Sequence, residues 1–251
     1  MLKIVAIGGG EIGRPGTQIE TESIDRQIIA LSAKKHPKLL FLPTASGDSE
    51  GYIDVVHQYF GKRLGCEVSS LKLSEGINIG EIEKQVMASD IIYVGGGNTY
   101  LMLKIWKRTG LDKVLKRAME KGKIMCGVSA GAVCWFERCL SDYRSFFDPK
   151  DRSFNPLKCL GFVRGNITIS PHQIREDRRL YELMKYIDKA GGIGLALDDM
   201  CALEIIDDKY RLISSSKNSS AYRVFKKRGA VHCERMVIEE NFKDLSELFR
   251  R

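Results

Sequence analysis

Short apolar runs alternate with stretches of helical periodicity as far as residue 199 of the chain. Seven of these runs are bounded by turn-forming residues, which predicts strands. The predicted strands cover residues 3–7, 38–42, 67–73, 90–94, 123–128, 166–169 and 194–197. Helices are predicted over residues 21–34, 52–64, 79–87, 99–121 (as two helices) and 175–190. Because the strands are unbroken apolar runs, the pattern predicts an α/β fold with a mostly parallel central sheet and helices on both faces.

The pattern changes after residue 199, where shorter alternating strands follow one another without intervening helices. They are predicted over residues 202–206, 210–214, 221–226 and 231–237, with a final helix over 242–249. We expect them to form an antiparallel C-terminal extension of the same sheet. With no repeat and no linker in the sequence, a single domain over residues 1–251 is expected.

One polar stretch, residues 139–156, contains two prolines and has no clear periodicity. It is long for a plain connection, so an active-site loop or a surface excursion is expected there.

Composition favours an ordinary globular protein of a reducing compartment. Of the 251 residues, 43% are hydrophobic and 29% are charged, and the net charge of +8 is spread along the chain, which favours a solvated surface over a nucleic-acid partner. The seven cysteines form no CxxC pair, so neither a metal site nor a disulfide framework is expected, and a cytoplasmic location follows. No apolar run is long enough for a membrane span.

The sharpest chemical signal is Gly-x-Ser-x-Gly at residues 127–131, between a predicted strand and a stretch that can start a helix. In that setting the motif is a nucleophile elbow, which holds a serine hydroxyl above the edge of the sheet. The strained turn leaves no space for a Cβ beside the serine, so the glycines are needed. Ser129 is therefore the candidate nucleophile.

A serine nucleophile needs a base, and among the four histidines His172 is the best placed. It follows a predicted central strand, so it should lie at the same sheet edge as Ser129. A carboxylate is expected to orient its imidazole. Asp142, in the irregular stretch, and Asp199, after the next predicted strand, are both candidates, and the residues alone leave the choice open.

Two glycine-rich turns follow other strands. In the turn at residues 95–98, the N–H of Gly97 or Gly96 is expected to form an oxyanion hole with the N–H of Ala130. The turn at residues 8–13 satisfies GxGxxG, but no helix opens at its third glycine and no acid follows the second strand. A dinucleotide cofactor is therefore not expected.

As a set, these motifs resemble the dipeptidase E and cyanophycinase family of serine peptidases. The resemblance is carried by residues 95–98, 127–132 and 170–172, and it extends from the first strand to about residue 205. It implies a flavodoxin-like fold similar to class I glutamine amidotransferases, with serine in place of their cysteine, and neither a metal nor an organic cofactor.

The resemblance implies catalytic roles for four residues. Ser129 would be the nucleophile and His172 the base. The acidic position that follows the elbow in the family falls at Asp142, which is favoured as the relay acid, and Asp199 is kept as a physical rival.

Substrate contacts are expected from the glycine turn and from the segment after the histidine. Gly96 and Asn98 are predicted to bind substrate. Dipeptidase E prefers an N-terminal aspartate, which is read by an arginine downstream of its histidine. Arg175, Arg178 and Arg179 follow His172, and Arg178 is the one predicted to bind the substrate in this way.

The expected function is that of a dipeptidase E-like serine peptidase, which hydrolyses small peptides through a Ser-His-Asp relay and an acyl-enzyme. Two alternative functions are compatible with the same sequence motifs. One is an amidotransferase-like hydrolase of a non-peptide amide or ester, and the other is a non-catalytic binding protein on the same fold. A small peptide is the expected partner, without nucleic acid or membrane, and a homodimer stays open.

Overall fold

The computed structural model describes residues 1–173 and 178–250, which contain fourteen strands in two sheets. The strands are β1 (Lys3–Ile7), β2 (Lys38–Leu42), β3 (Glu67–Ser70), β4 (Ile91–Val94), β5 (Ile124–Val128), β6 (Arg138–Ser141), β7 (Asn155–Lys158), β8 (Ile167–Ser170), β9 (Ile193–Leu197), β10 (Cys201–Ile206), β11 (Lys209–Ser214), β12 (Ala221–Lys227), β13 (Ala230–Met236) and β14 (Lys243–Asp244). All seven strands predicted before residue 199 are present, with ends shifted by up to three residues.

The first sheet has the strand order β14–β11–β10–β1–β5–β4–β2–β3. Its strands β1 to β5 are mutually parallel. Strands β10 and β11 continue the sheet beside β1 in the antiparallel direction. The predicted α/β class and its antiparallel C-terminal extension are thereby confirmed.

Helices cover both faces of the first sheet, because successive side chains of its strands point to opposite sides. On β1, Ile4 and Ala6 belong to one apolar cluster, and Val5 and Ile7 belong to the other. The α-helices are α1 (Glu22–Ala30), α2 (Glu50–Val56), α3 (Ile79–Ala88), α4 (Thr99–Thr109), α5 (Leu111–Glu120), α6 (Ala130–Val133) and α7 (Arg178–Ala190).

Several helix boundaries have local causes. The side chain of Asn78 accepts the N–H of Glu81 at the start of α3. Gly110, with φ of +78°, separates α4 from α5, so the predicted stretch 99–121 is indeed two helices.

Helix α2 continues into a π-helical stretch, His57–Arg63. The final helix predicted over residues 242–249 is instead strand β14 and a short 3-10 turn, Leu245–Phe249.

A second sheet, of order β13–β12–β9–β8–β6–β7, replaces the single continuous sheet that the sequence suggested. Strands β6 and β7 overlap the two ends of the stretch 139–156, where no strand was predicted. Strand β7 contains Pro156 and lies at the edge of the sheet, where a residue without an N–H is tolerated. Composition alone therefore did not distinguish this edge strand from a loop.

The carboxyl ends of strands from both sheets meet at one place. Residues 8–10 follow β1, residues 95–97 follow β4 and Ser129 follows β5 in the first sheet. His172 and Asp199 follow β8 and β9 in the second sheet. Among the described residues, no helix is both long and apolar enough to cross a membrane.

Candidate active site

Ser129 occupies a strained turn between β5 and α6. Its φ and ψ are 56° and −112°, a backbone conformation that is costly for a residue with a Cβ. A Cβ on Gly127 would lie 2.7 Å from the carbonyl oxygen of Gly131, and a Cβ on Gly131 would lie 2.8 Å from Cβ of Val94. Both glycines are therefore required for the turn to pack against β4, as expected for a nucleophile elbow.

His172 meets the serine hydroxyl directly. Its Nε2 lies 2.7 Å from Oγ of Ser129, although the two residues are 43 positions apart in the chain. The side chain of His172 is 22% exposed, so it borders the solvent-accessible side of the site. At this distance the ring can take the proton of the hydroxyl.

Asp199 completes a continuous chain of hydrogen bonds. Its Oδ1 lies 2.6 Å from Nδ1 of His172, and only 4% of its side chain is exposed. The neighbouring carboxylate, Asp198, turns the other way and accepts the N–H of Ser220 at 2.7 Å. Of the two carboxylates kept open on sequence grounds, Asp199 is the one that contacts the imidazole.

Asp142, the carboxylate favoured on the family resemblance, is placed differently. Its Oδ2 accepts a hydrogen bond from Nη2 of Arg179 at 2.9 Å. It lies just after β6 and immediately before the short 3-10 turn Tyr143–Phe146. Sequence position alone could not separate the two acids, because β6 was not predicted and its end could not be located.

Gly9 packs directly against the side chains of His172 and Asp199. A Cβ on Gly9 would overlap Oδ1 of Asp199 and would lie 2.6 Å from Cε1 of His172. The glycine turn after β1 was not predicted to take part in the relay. Its signal was present, since three glycines after a strand allow another group to approach the backbone closely.

The backbone N–H groups of Gly97 and Ala130 have no acceptor among residues 1–173 and 178–250; Gly97 borders the cleft of Ser129, and Ala130 follows Ser129 at the start of α6. Gly97 has φ of +139°, and a Cβ there would lie 3.0 Å from the nitrogen of Ser46. A side chain at this position is thus excluded both by conformation and by space. These two N–H groups are the candidates for an oxyanion hole.

Gly96 and Asn98 border the same cleft. A Cβ on Gly96 would lie 3.4 Å from Cβ of Ser129, so the bare backbone leaves room above the serine. Burial raises the pKa of Tyr52, whose hydroxyl lies 3.5 Å from the nitrogen of Gly96, to about 12. Asn98 is 5% exposed and its side chain caps α4 by accepting the N–H of Leu101.

Arg178 lines a neighbouring cavity of about 460 Å³, not the cleft of Ser129. Its guanidinium donates to the carbonyl oxygen of Arg152 at 3.4 Å and lies 5.9 Å from the ring centre of Phe154. Arg175 falls outside the described residues.

The cleft above Ser129 has a volume of about 620 Å³. Its charged walls include Glu11 and Arg14, where Nε of Arg14 donates to the Glu11 carboxylate at 2.7 Å. That hydrogen bond raises the pKa of Arg14. Phe146 and Phe147 form an apolar wall of the same cleft. None of these four residues was predicted to line the cleft, because the first pair and the second pair lie more than 130 residues apart in the sequence.

No group of three or more potential metal ligands occurs in the part of the chain that the structure describes.

Comparison with known proteins gives one family match. The model of peptidase family S51 matches residues 4–213. An uncharacterized peptidase of Bacillus subtilis (strain 168), YgaJ, is 38% identical over 228 residues, which cover 89% of this chain and 92% of that protein.

Two solved structures share the fold. A peptidase from an acI-B1 Actinobacterium superposes with a TM-score of 0.74 at 18% identity, over 97% of both chains. A putative peptidase E protein from Listeria monocytogenes EGD-e superposes with a TM-score of 0.63 at 21% identity, over 86% of this chain and 100% of that chain.

Proposed function

This chain belongs to peptidase family S51 and is a serine peptidase, and on that premise we propose that it hydrolyses small peptides through a Ser129–His172–Asp199 relay and an acyl-enzyme. The observation that carries the proposal is the continuous chain of hydrogen bonds, 2.7 Å from Ser129 to His172 and 2.6 Å from His172 to Asp199. It joins a strained hydroxyl to a base, and the base to a buried carboxylate.

In the first step, Nε2 of His172 takes the proton from Oγ of Ser129 as that oxygen attacks the carbonyl carbon of the scissile peptide bond. Asp199 accepts the N–H at Nδ1 of the ring, which keeps the lone pair on Nε2 facing the serine. The carboxylate also stabilises the imidazolium that forms.

The negative charge that develops on the carbonyl oxygen is stabilised by the N–H groups of Gly97 and Ala130. Both groups are held in place before the substrate arrives, so no reorganisation is needed during the reaction. The imidazolium of His172 then protonates the leaving amine, the C–N bond breaks, and the acyl group stays on Ser129. Water, deprotonated by His172, attacks this ester and releases the free acid.

Asp199 is preferred to Asp142 as the relay acid because of its contacts. The Asp199 carboxylate lies on Nδ1 of His172, whereas the Asp142 carboxylate lies on Arg179. Of these two contacts, only that of Asp199 is to the base of the reaction.

Small peptides are proposed as substrates because the cleft is bounded on several sides. Its volume of about 620 Å³ falls within the range of small-molecule sites and holds only a few amino-acid residues. The proposal extends to the cytoplasm as the working compartment, which is supported by seven cysteines that are all free thiols.

A fluorophosphonate probe and a library of dipeptides test this function together. The probe should label the wild-type protein at Ser129, and hydrolysis of at least one dipeptide should be lost in Ser129→Ala. Ser23→Ala, which removes an exposed hydroxyl on α1, is the matched control and should keep both properties. Labelling without hydrolysis of any peptide would favour a non-peptide amide or ester, and an absence of both would favour a binding protein.

A further inference from the structure

Phe146 and Phe147, here called the aromatic wall, border the cleft that contains the nucleophile. They are 56% and 65% exposed, although large aromatic side chains gain free energy when they are covered. Two adjacent exposed phenylalanines beside a catalytic serine form an apolar patch that is available to a ligand.

The aromatic wall is held in place by the structure beneath it. Tyr143 stacks on Tyr100 of α4, with 4.9 Å between ring centres, and Phe147 meets Tyr100 edge-on at 6.5 Å. The ion pair of Asp142 with Arg179 fixes the start of the same turn. A wall that is positioned before binding loses little conformational freedom when a side chain packs against it.

Two charged residues that line the described part of the cleft, Glu11 and Arg14, form an ion pair with each other. The guanidinium of Arg14 is bound to the carboxylate of Glu11, which is only 12% exposed, while Arg14 itself is 54% exposed. Arg178, the arginine expected to read an acidic side chain, lies in the neighbouring cavity. The described part of the cleft therefore offers an acidic side chain no cation that lacks a carboxylate partner.

We infer that the cleft selects short peptides by a large apolar side chain that packs on Phe146 and Phe147. This inference rests on the proposed peptidase function and specifies its substrate class. A hydrophobic subsite distinguishes side chains by roughly 10–200-fold in kcat/KM for each methylene group that it can or cannot bury. A phenylalanine should therefore exceed an alanine by at least about tenfold.

The first experiment measures kcat/KM for four dipeptides: Phe-Ala, Ala-Phe, Ala-Ala and Asp-Ala. At least one of the two phenylalanine peptides should exceed both Ala-Ala and Asp-Ala by about tenfold or more. The double variant Phe146→Ala/Phe147→Ala should lower kcat/KM for the preferred phenylalanine peptide by about tenfold more than for Ala-Ala, which removes this preference. Tyr181→Ala, an exposed aromatic residue on α7 outside the cleft, should leave all four values unchanged.

The second experiment changes the charge balance. Glu11→Gln leaves the positive charge of Arg14 without its carboxylate partner, so kcat/KM for Asp-Ala relative to Ala-Ala should rise by about threefold or more. Glu75→Gln is the matched control, because it makes the same change in net charge at an exposed carboxylate bound to Lys72. It should leave the ratio as it is in the wild type.

Labelling of Ser129 by a fluorophosphonate separates failure of the inference from failure of the proposed function. If Ser129 is labelled and peptides are hydrolysed with a preference for Asp-Ala, or if the double variant loses all four activities equally, the inference is wrong and the peptidase function stands. If no dipeptide is hydrolysed, the inference and the peptide substrate both fail, and an absence of labelling would further exclude the serine nucleophile.

Discussion

Oδ1 of Asp199 lies so close to Gly9 that it would overlap a Cβ at that position. Gly9 follows the first strand of the chain, and Asp199 follows the ninth strand, in the other sheet. The imidazole of His172 lies on the same glycine, with Cε1 2.6 Å from the Cβ position. The acid and the base of the proposed relay therefore rest on a bare stretch of backbone that belongs to neither of their own strands.

Gly9→Ala should lower kcat/KM by about 100-fold or more, because displacing catalytic groups by about 1 Å costs that much. Steady-state kinetics on a cleaved dipeptide and far-UV circular dichroism would check activity and fold together. Gly51→Ala is the control, since a Cβ at Gly51 meets nothing within 4 Å and its φ is not positive. Wild-type activity in Gly9→Ala would mean that the relay tolerates the added methyl group and that the close packing of Gly9 against His172 and Asp199 is not needed for catalysis.

Asp199→Asn and Asp142→Asn should have very different effects on turnover. The first change should lower kcat on the order of 10³–10⁴-fold, because an amide does not hold the imidazole in the required tautomer. The second should keep kcat/KM within about threefold, because the Asp142 carboxylate contacts Arg179 and touches neither His172 nor Ser129. The reverse order of effects would identify Asp142 as the relay acid.

Gly97→Ala should lower kcat by about 100–1000-fold, the usual cost of one lost oxyanion donor. The new Cβ would lie 3.0 Å from the nitrogen of Ser46 at a φ of +139°, so the turn must move and carry its N–H away from the nucleophile. Labelling of Ser129 by a fluorophosphonate should slow in parallel, since that probe also develops charge on an oxygen. An unchanged kcat in a folded variant would remove Gly97 from the oxyanion hole.

Asp25, on α1, should make the protein less stable as the pH rises. Burial raises its pKa from 3.8 to about 7, and the hydroxyls of Thr21 and Tyr59 donate to its Oδ2. Between these two values the folded protein keeps a proton that the unfolded chain has released. The free energy of unfolding should therefore fall across this window, by up to about 1.4 kcal/mol per pH unit from this group alone, and level off above it.

Urea unfolding of the wild type and of Asp25→Asn between about pH 5 and pH 8 tests this dependence. The variant should lose less stability over that range, because its amide carries no proton to release. Asp54→Asn, which changes an exposed carboxylate on α2, should follow the wild type. Parallel curves for Asp25→Asn and the wild type would show that Asp25 is already ionised at low pH.

Strands β1, β2, β4 and β5 of the parallel layer were predictable because each is a short apolar run that is almost entirely buried. Strand β6 and strand β7 were not, since Arg138–Ser141 and Asn155–Lys158 contain polar residues and a proline and lie at or near a sheet edge. The division into two sheets was also missed. Which strand pairs with which is set by contacts between residues far apart in the chain, and periodicity carries no information about those partners.

At the site, local turn chemistry was the part that the sequence revealed. Ser129 was identified because an elbow needs glycines at fixed offsets, and His172 because it was the best placed of four histidines. Individual roles for Glu11, Arg14 and the aromatic wall were not predicted, although the stretch 139–156 was expected to be an active-site loop or a surface excursion. Nothing in the sequence indicates that residues 11 and 14 share a cleft with residues 146 and 147.

The sequence by itself determined the α/β class, the strained serine turn and the family, because each is encoded in residues that are close together in the chain. Only the tertiary structure decided which carboxylate reaches His172, why Gly9 must lack a side chain and what lines the cleft. These outcomes depend on how strands from two sheets bring their ends together. That arrangement follows from packing between distant segments, and it appears only once the chain is folded.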